Sequence, residues 1–380
     1  MKYWRGFLIA AIVAAVTYVL KKLAATYSTL VDMVYPYLTR TVQTFMADWS
    51  GGLDFCIWQV AVVVLVLITL VSIVLMIILR WNPIQLAGWI CAGVACVWFM
   101  NTCIYGLNYH AGPLSTDIRL IQTEYTIEEL EHSTIYYRDL AKALADQMDR
   151  DGSGDVVFPA FEVMAQQAGE GFRTLTYDYS YSVFAGSTNP VKKLGWSDMY
   201  TSKGVTGKTV GITGEAAVNP DIPAVIIPFT MCHEMAHRMC IAFDRDADFS
   251  AFLAGQANSA KEFQYSSYLM AYRYCYNALY AEGSSEATTA AARIDSGVNA
   301  KLRHDLDIYN RFLKENGGST SDSEVADLLV SWHIQEVVIP SQTEDTEAVF
   351  DPYDESQVDL SGIVNAKIPE TEPTTEENGE

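Results

Sequence analysis

The stretch FCIWQVAVVVLVLITLVSIVLMIIL, from Phe55 to Leu79, contains no charged side chain. It is longer than the ~20 residues that an apolar helix needs in order to cross a bilayer. A buried helix in a water-soluble domain is seldom this long and this uniformly apolar. The segment therefore predicts a transmembrane helix, and any fold of this chain has to place it in lipid.

Two further apolar runs accompany this segment. Ile84 to Tyr105 is a second predicted span, and its small residues permit close helix packing in lipid. Phe7 to Leu20 is shorter, and a cleaved signal peptide has that length and a similar basic start. Because Lys21 and Lys22 stand where a cleavage region is small and neutral, we interpret this run as a retained span lengthened by snorkelling lysines.

The amino-terminal part is therefore predicted to be a membrane anchor over residues 1–106. Its three transmembrane helices are expected at about 5–22, 55–79 and 84–105. The residues between the first two spans are expected to form a loop or a helix at the membrane edge.

Charge divides the chain into two unlike parts. Residues 1–106 carry six Lys or Arg and three Asp, whereas the net charge of the whole chain is −21, so the remainder is strongly acidic. An acidic body repels phosphates, and we therefore exclude nucleic acid as a partner. Placing Lys2, Arg5 and Arg80 in the cytoplasm puts everything after residue 106 outside it. The expected location is the cell membrane, multi-pass, with an extracytoplasmic body, although Lys21 then lies on the outer side.

The body, residues 107–340, is predicted to be mainly helical with a few short strands. Apolar residues have helical spacing from Glu124 to Met148 and again after Phe229. Between them, glycine, proline and threonine dominate, and KTVGIT and AVII are β-prone. Residues 341–380 lose the apolar periodicity and end in KIPETEPTTEENGE, so we expect an acidic, largely disordered tail. The sequence does not indicate the oligomeric state.

Residues 149–160 begin like a calcium-binding loop of the EF-hand type. Asp149, Asp151 and Ser153 have the required spacing, but Ala160 occupies the twelfth position, where such loops have a bidentate glutamate. An ordinary turn rich in aspartate and glycine explains the same pattern, and we expect the turn.

The strongest functional signal is the motif HEMAH, residues 233–237. On a helix, His233 and His237 project from one face, so their ring nitrogens can converge on one ion. Glu234 then lies beside that ion and can take a proton from a metal-bound water. The motif therefore predicts a Zn²⁺ cofactor and a nucleophile for attack on a carbonyl carbon. Two core histidines with a coincidental glutamate are the alternative.

A third protein ligand leaves one position of the ion open for water. Asp244 and Asp248 are four residues apart and would both face the ion from a following helix. We predict Asp244 as the ligand and Asp248 as the acceptor that orients a ligand histidine. Asp246 as the ligand is the alternative.

Two further roles rest on weaker signals. Stabilisation of an oxyanion needs a donor such as His or Tyr, and His304 and Tyr309 are candidates, with a surface or packing role as the alternative. The stretch TVGITGEAAVN can form an edge strand that binds an extended substrate. Thr213, Gly214 and Glu215 would then contact the substrate, and an ordinary strand and turn is the alternative.

The stretch PFTMCHEMAHRMCIAFDRDADFSAFLA, residues 228–254, resembles a bacterial membrane-protein family catalogued as domain of unknown function 3810. The likeness also includes GLNYHAGPL, TGEAAVN and YNRFLKENGG, and it covers most of residues 100–335. In that family's pattern, glutamates stand at the positions of Asp244 and Asp246, and glycine stands at the position of Cys240.

The family itself resembles the gluzincin-type metallopeptidases. This resemblance implies a zincin-like metallopeptidase fold in which His233, His237 and Asp244 are the ligands and Glu234 is the general base.

Together, these features predict a membrane-anchored zinc metalloprotease that hydrolyses peptide bonds in a peptide or protein substrate. Because HEMAH follows the spans by more than a hundred residues, we expect no cleavage inside the bilayer. The alternative is a catalytically weak or inactive zinc-binding sensor or scaffold with the same fold and the same anchor.

Overall fold

The computed structural model describes residues 2–317 and 322–338, and the predicted tail at 341–380 lies outside the described residues. Four long helices come first: α1 (Arg5–Thr26), α2 (Ser28–Gly51), α3 (Ile57–Ile78) and α4 (Pro83–Ile104). Three of them, α1, α3 and α4, are long and apolar enough to cross a membrane. These three helices coincide with the predicted spans, and α2 occupies the stretch between the first two, for which the sequence predicted a loop or a helix at the membrane edge.

The main partner of α4 is α1. Gly6 and Gly88 permit this close packing, because a Cβ added to Gly6 would lie 2.3 Å from the carbonyl carbon of Gly88. Within α3, all of which is described, Gln59 is the only buried residue. The surface of α3 is thus apolar along its whole length, which is what a candidate membrane span requires.

The body is mainly helical, as predicted. Its helices are α5 (Leu114–Asp117), α6 (Ile127–Gln147), α7 (Phe161–Gln167), α8 (Gly169–Tyr177), α9 (Ser197–Thr201), α10 (Ile227–Arg238), α11 (Asp244–Gln256), α12 (Lys261–Glu282), α13 (Ser285–Ser296), α14 (Ala300–Asn316) and α15 (Asp322–His333). Short 3-10 helices lie at Gly106–His110, Ser182–Phe184 and Ala224–Ile226. Central helix α12 contacts α6, α10, α11 and α15, and the apolar faces of these helices form one core.

The described part of the body also contains three short strands: β1 (Lys192–Lys193), β2 (Gly207–Val210) and β3 (Glu215–Val218). Their order is β1-β3-β2. Strand β1 runs parallel to β3, and β2 runs antiparallel to it, with Lys208 opposite Ala217. Strand β3 therefore lies in the centre of the sheet, β1 and β2 are its two edges, and the edge strand β2 contacts α10.

Candidate metal centre

Helix α10 carries the HEMAH motif, and its packing determines where the motif points. Pro228 lies in the first turn, where its missing N–H costs no hydrogen bond. Met231 and Met235 are fully buried in the core. This packing fixes the rotation of α10 about its axis, so that His233 and His237 line a cavity.

The chain reverses immediately after α10. The Ile241 N–H donates to the Ala236 carbonyl, and the Cys240 N–H donates to the His237 carbonyl, which is the Schellman arrangement. Cys240 has φ +72°, a conformation that favours glycine and costs other residues about 1 kcal/mol. This backbone conformation explains why the family's pattern has glycine at this position.

Each histidine ring is held through its Nδ1 atom. His233 Nδ1 lies 2.7 Å from Asp248 Oδ1, and His237 Nδ1 lies 2.8 Å from the Ile241 carbonyl oxygen. A carboxylate and a carbonyl can only accept, so each Nδ1 donates, and in the neutral form of each ring, the form that binds a metal, Nε2 carries the lone pair. The structure thus places Asp248 beside His233, the first histidine of the motif.

The free ring nitrogens converge with one carboxylate. His233 Nε2 and His237 Nε2 are 3.0 Å apart, and Asp244 Oδ1 lies 3.3 Å from His237 Nε2. One ligand atom from each residue lies within 4.8 Å of the others, and this is the only such group of three in the described part of the chain. Lone pairs that face each other this closely repel unless a positive charge lies between them.

The three residues fit a catalytic zinc site. Two imidazoles and one carboxylate are a ligand set that such sites use, with the remaining position open to solvent. The Asp244 side chain is 82% exposed, so the cluster has an open side. Both helices contribute, because α11 begins at Asp244 directly after the turn that ends α10.

The electrostatics of the cluster also favour a cation. Burial lowers the pKa of His233, but the carboxylates of Asp248, Glu234 and Asp244 together more than offset burial, and the pKa is raised to about 9. The His237 ring, whose Nε2 lies 3.3 Å from Asp244 Oδ1, holds the pKa of the Asp244 carboxyl below its usual range. Both shifts stabilise the charged forms, and they show that the acidic groups around the rings attract positive charge.

Glu234 lies beside the cluster and contacts the edge strand. The Thr209 hydroxyl donates to Glu234 Oε2 over 2.6 Å. The approach of β2 depends on Gly207, because a Cβ there would lie 2.5 Å from Glu234 Oε1. Glu234 is itself buried, so one carboxylate oxygen is held by Thr209 while the other faces the small Gly207.

The cluster opens into a cavity of about 510 Å³. Its walls include Thr209 of the stretch predicted to be an edge strand, and residues that the sequence did not indicate, namely Tyr105, Tyr109, Lys208 and Tyr274. No local spacing links these residues to HEMAH, although Tyr109 belongs to the stretch GLNYHAGPL that carries the family likeness. Tyr309, a predicted oxyanion donor, also lines the cavity. Burial raises its pKa to about 12, so it keeps its proton at neutral pH.

The prediction for His304 needs correction. His304 Nε2 lies 2.7 Å from Asp155 Oδ1 in an exposed pair, and the ring does not line the cavity. His304 and Tyr309 are five residues apart on α14, which puts them on different faces of the helix. Only Tyr309 can therefore face the cluster.

The alternative ligand Asp246 also lies elsewhere. Its Oδ2 accepts from the Leu114 N–H over 3.5 Å, and its Oδ1 lies 3.3 Å from Arg245 Nε. Two residues along a helix correspond to a rotation of about 200°, so Asp246 projects to the opposite side of α11 from Asp244. The structure favours Asp244 of the two.

The predicted substrate contacts at Thr213, Gly214 and Glu215 are likewise corrected. Gly214 has φ +64° in the turn between β2 and β3, and a Cβ there would lie 2.7 Å from the Ala47 backbone nitrogen of α2. Glu215 is buried on central strand β3, where it pairs with Lys192 over 2.8 Å. These residues join the sheet to the anchor, and β2 is the strand beside the cavity.

The loop at 149–160 forms a compact turn. Asp151 Oδ1 accepts hydrogen bonds from the Ser153 and Asp155 backbone N–H groups, which is the expected behaviour of aspartate in a turn. Asp155 pairs with His304 as described above.

The described residues form a mainly helical protein with three candidate membrane spans. The cavity lies in its body. Residues 30–328 match the family described as Protein of unknown function (DUF3810), and the chain belongs to this family. No curated protein and no solved structure matches the chain. The matched range runs from α2 into α15 and includes α10, α11 and the residues that line the cavity.

Proposed function

We propose that this protein is a membrane-anchored, zinc-dependent metalloprotease with a zincin-like body. The observation that carries the proposal is the convergence of His233 Nε2, His237 Nε2 and Asp244 Oδ1, with Glu234 beside them in an open cavity. His233, His237 and Asp244 would hold the Zn²⁺ ion. The basic residues of the anchor favour an extracytoplasmic body.

The residues around the cluster have separate roles in peptide hydrolysis. When bound, zinc lowers the pKa of a water ligand and polarises a carbonyl group. Glu234 accepts the proton of the attacking water and returns it to the leaving amine. The Thr209 hydroxyl orients Glu234 through Oε2, and Asp248 keeps the proton of His233 on Nδ1.

The edge strand and the tyrosines would bind the substrate. The outer side of β2 has no strand partner in the described sheet, so its backbone N–H and C=O groups can pair with an extended peptide. Such a peptide would pass over Glu234, which contacts Gly207 and Thr209 of that strand. The protonated Tyr309 hydroxyl is the donor that we assign to the developing oxyanion.

The test uses the purified full chain in detergent, with zinc measured by elemental analysis and cleavage measured on an unbiased peptide library. We expect one zinc per chain and cleavage that falls about 10²- to 10⁴-fold in Glu234→Gln, with zinc retained, because the general base is lost. Glu286→Gln is the matched control, since Glu286 is exposed on α13, and it should behave like the wild type.

A different outcome would support the sensor or scaffold. If the chain binds zinc and peptide cleavage is absent, or is the same in Glu234→Gln and the wild type, the protease proposal is wrong.

A further inference from the structure

Helix α2 has two distinct faces. One face is buried against the body, where Gln43 Nε2 donates to the Gly211 carbonyl over 2.7 Å and Lys192 Nζ donates to the Ser50 carbonyl over 2.8 Å. The opposite face exposes large apolar side chains; they are Leu30, Met33, Val34, Leu38, Phe45 and Trp49. A water-soluble surface rarely carries so many large apolar side chains along one helix face.

Both ends of α2 meet the ends of membrane spans. Near its start, the Tyr35 hydroxyl lies 2.9 Å from the Thr102 carbonyl oxygen at the end of α4. Shortly after its end, α3 begins at Ile57, whose N–H donates to Glu215 over 2.7 Å. Because α1, α3 and α4 are consecutive spans, the end of α1, the start of α3 and the end of α4 lie on the same side of the membrane.

Helix α2 therefore lies along that membrane surface. Its 24 residues correspond to a length of about 36 Å, and the helix runs from the end of α1 to the start of α3. Its apolar face points into the lipid, as in interfacial amphipathic helices, and its polar face supports the body. The bilayer is the occupant of the apolar face because the spans at both ends of α2 place it there.

The metal cluster is only one helix away from this surface. On the body-facing side of α2, Arg40 Nε donates to the Met239 carbonyl at the end of α10. Tyr105, the residue directly after α4, lines the cavity. At the rim, the exposed rings of Tyr109 and Phe243 pack edge to face with centroids 5.6 Å apart, and aromatic residues of this kind are typical of the bilayer interface.

We propose that the substrate of this site is the segment next to the membrane in a membrane-anchored polypeptide. This inference rests on the proposed protease function and adds the substrate class. The thickness of α2, about 10 Å, separates the cluster from the lipid. An extended chain covers about 3.3 Å per residue, so the scissile bond lies about three to five residues from the bilayer.

The cleavage test uses the full chain with zinc in vesicles of phosphatidylcholine and phosphatidylglycerol. The probe is a library of polypeptides with one transmembrane helix followed by a randomised segment of about twenty residues, long enough to extend well beyond the cavity. The same randomised segments on a soluble carrier are the control. We expect cuts to begin about three to five residues from the helix.

The proposed substrate class is wrong if cuts in the anchored library begin only beyond about ten residues from the transmembrane helix, or if only the soluble carriers are cut. In both cases the proposal that the protein is a protease still stands. If neither library is cut, the protease proposal fails and this inference fails with it.

A second measurement reports the geometry without activity. Fluorescent labels are attached at Phe45→Cys, Tyr109→Cys and Thr289→Cys in a chain with Cys91 and Cys96 replaced by alanine, and lipids with a quencher at the head group are added. Thr289 is exposed on α13, which packs on α6 and α12. We expect strong quenching at Phe45 and Tyr109 and little at Thr289. Equal quenching at Tyr109 and Thr289 would overturn the inference. The absence of quenching at Phe45 would also overturn it, because the apolar face of α2 would then be covered by something other than lipid, such as a second copy of α2.

Discussion

His237 and His304 each lie close to an aspartate, but their surroundings differ. His237 uses Nδ1 for the Ile241 carbonyl, which leaves Nε2 to face His233 and Asp244. His304 uses Nε2 for Asp155, and its side chain is 38% exposed. A histidine–aspartate pair alone is therefore not sufficient for a metal site. Acceptors on the Nδ1 atoms are needed so that the Nε2 lone pairs can converge.

The largest expected effect is the loss of zinc in His237→Ala. Removing one of three protein ligands should lower the affinity by more than the ~10- to 100-fold that loss of a supporting partner costs. Zinc content after dialysis would fall from one ion per chain to a trace, whereas His304→Ala would keep its zinc. Equal zinc content in both variants would remove the distinction between the two histidines.

The next effect tests the acceptor on His233. In Asp248→Ala, the ring loses the partner that fixes its proton on Nδ1, so zinc affinity should fall about 10- to 100-fold. Asp155→Ala is the matched control, because Asp155 also contacts a histidine. A competition titration with a zinc chelator measures both variants. Similar affinities for the two would show that Asp248 does not support the site.

A third histidine predicts a dependence of stability on pH. Burial lowers the pKa of His333 to about 3, below its unfolded value of about 6.5. The unfolded chain then binds more protons in this range, so the stability contributed by neutral His333 is present above pH ~6.5 and is lost as the pH falls toward ~3.

For the step from pH 7 to pH 5, this linkage amounts to about 2 kcal/mol of unfolding free energy. His333→Gln, which has no titratable group, should lose about 2 kcal/mol less than the wild type over that step. Chemical denaturation in detergent at the two pH values measures the free energy of unfolding of both proteins. An identical loss of stability in the wild type and in His333→Gln would contradict the role of His333.

The smallest effect belongs to the exposed pair of His304 and Asp155. His304→Ala should change the free energy of unfolding by at most about 1 kcal/mol, because exposed pairs contribute little. Denaturation at neutral pH, with and without zinc, measures the change. A larger loss, or one that appears only with zinc, would mean that His304 is coupled to the metal centre.

Composition and local spacing predicted much of this molecule. The uncharged run at Phe55–Leu79 was sufficient to predict α3, and the spacing of His233, His237, Asp244 and Asp248 was sufficient to place all four on the facing sides of α10 and α11. These features depend on contacts within one helix or between two adjacent helices, which the helical repeat determines.

The remaining parts depend on contacts between distant segments. Tyr105 reaches the cavity because α4 ends beside the body, although more than a hundred residues separate the spans from HEMAH. The strand order puts β2 at the edge and Glu215 in the centre, and local sequence does not encode that order. The contact of His304 with Asp155 also joins distant segments. The sequence could therefore suggest a catalytic role for His304, but it could not show that the loop at 149–160 faces this histidine.

The most direct test of the metal centre is X-ray absorption at the zinc edge on the purified full chain. We predict two imidazole nitrogens and one or two oxygens at about 2.0–2.2 Å, without sulfur, and loss of this signal in His237→Ala. Sulfur ligands at about 2.3 Å, or an unchanged spectrum in His237→Ala, would place the zinc elsewhere and contradict the account.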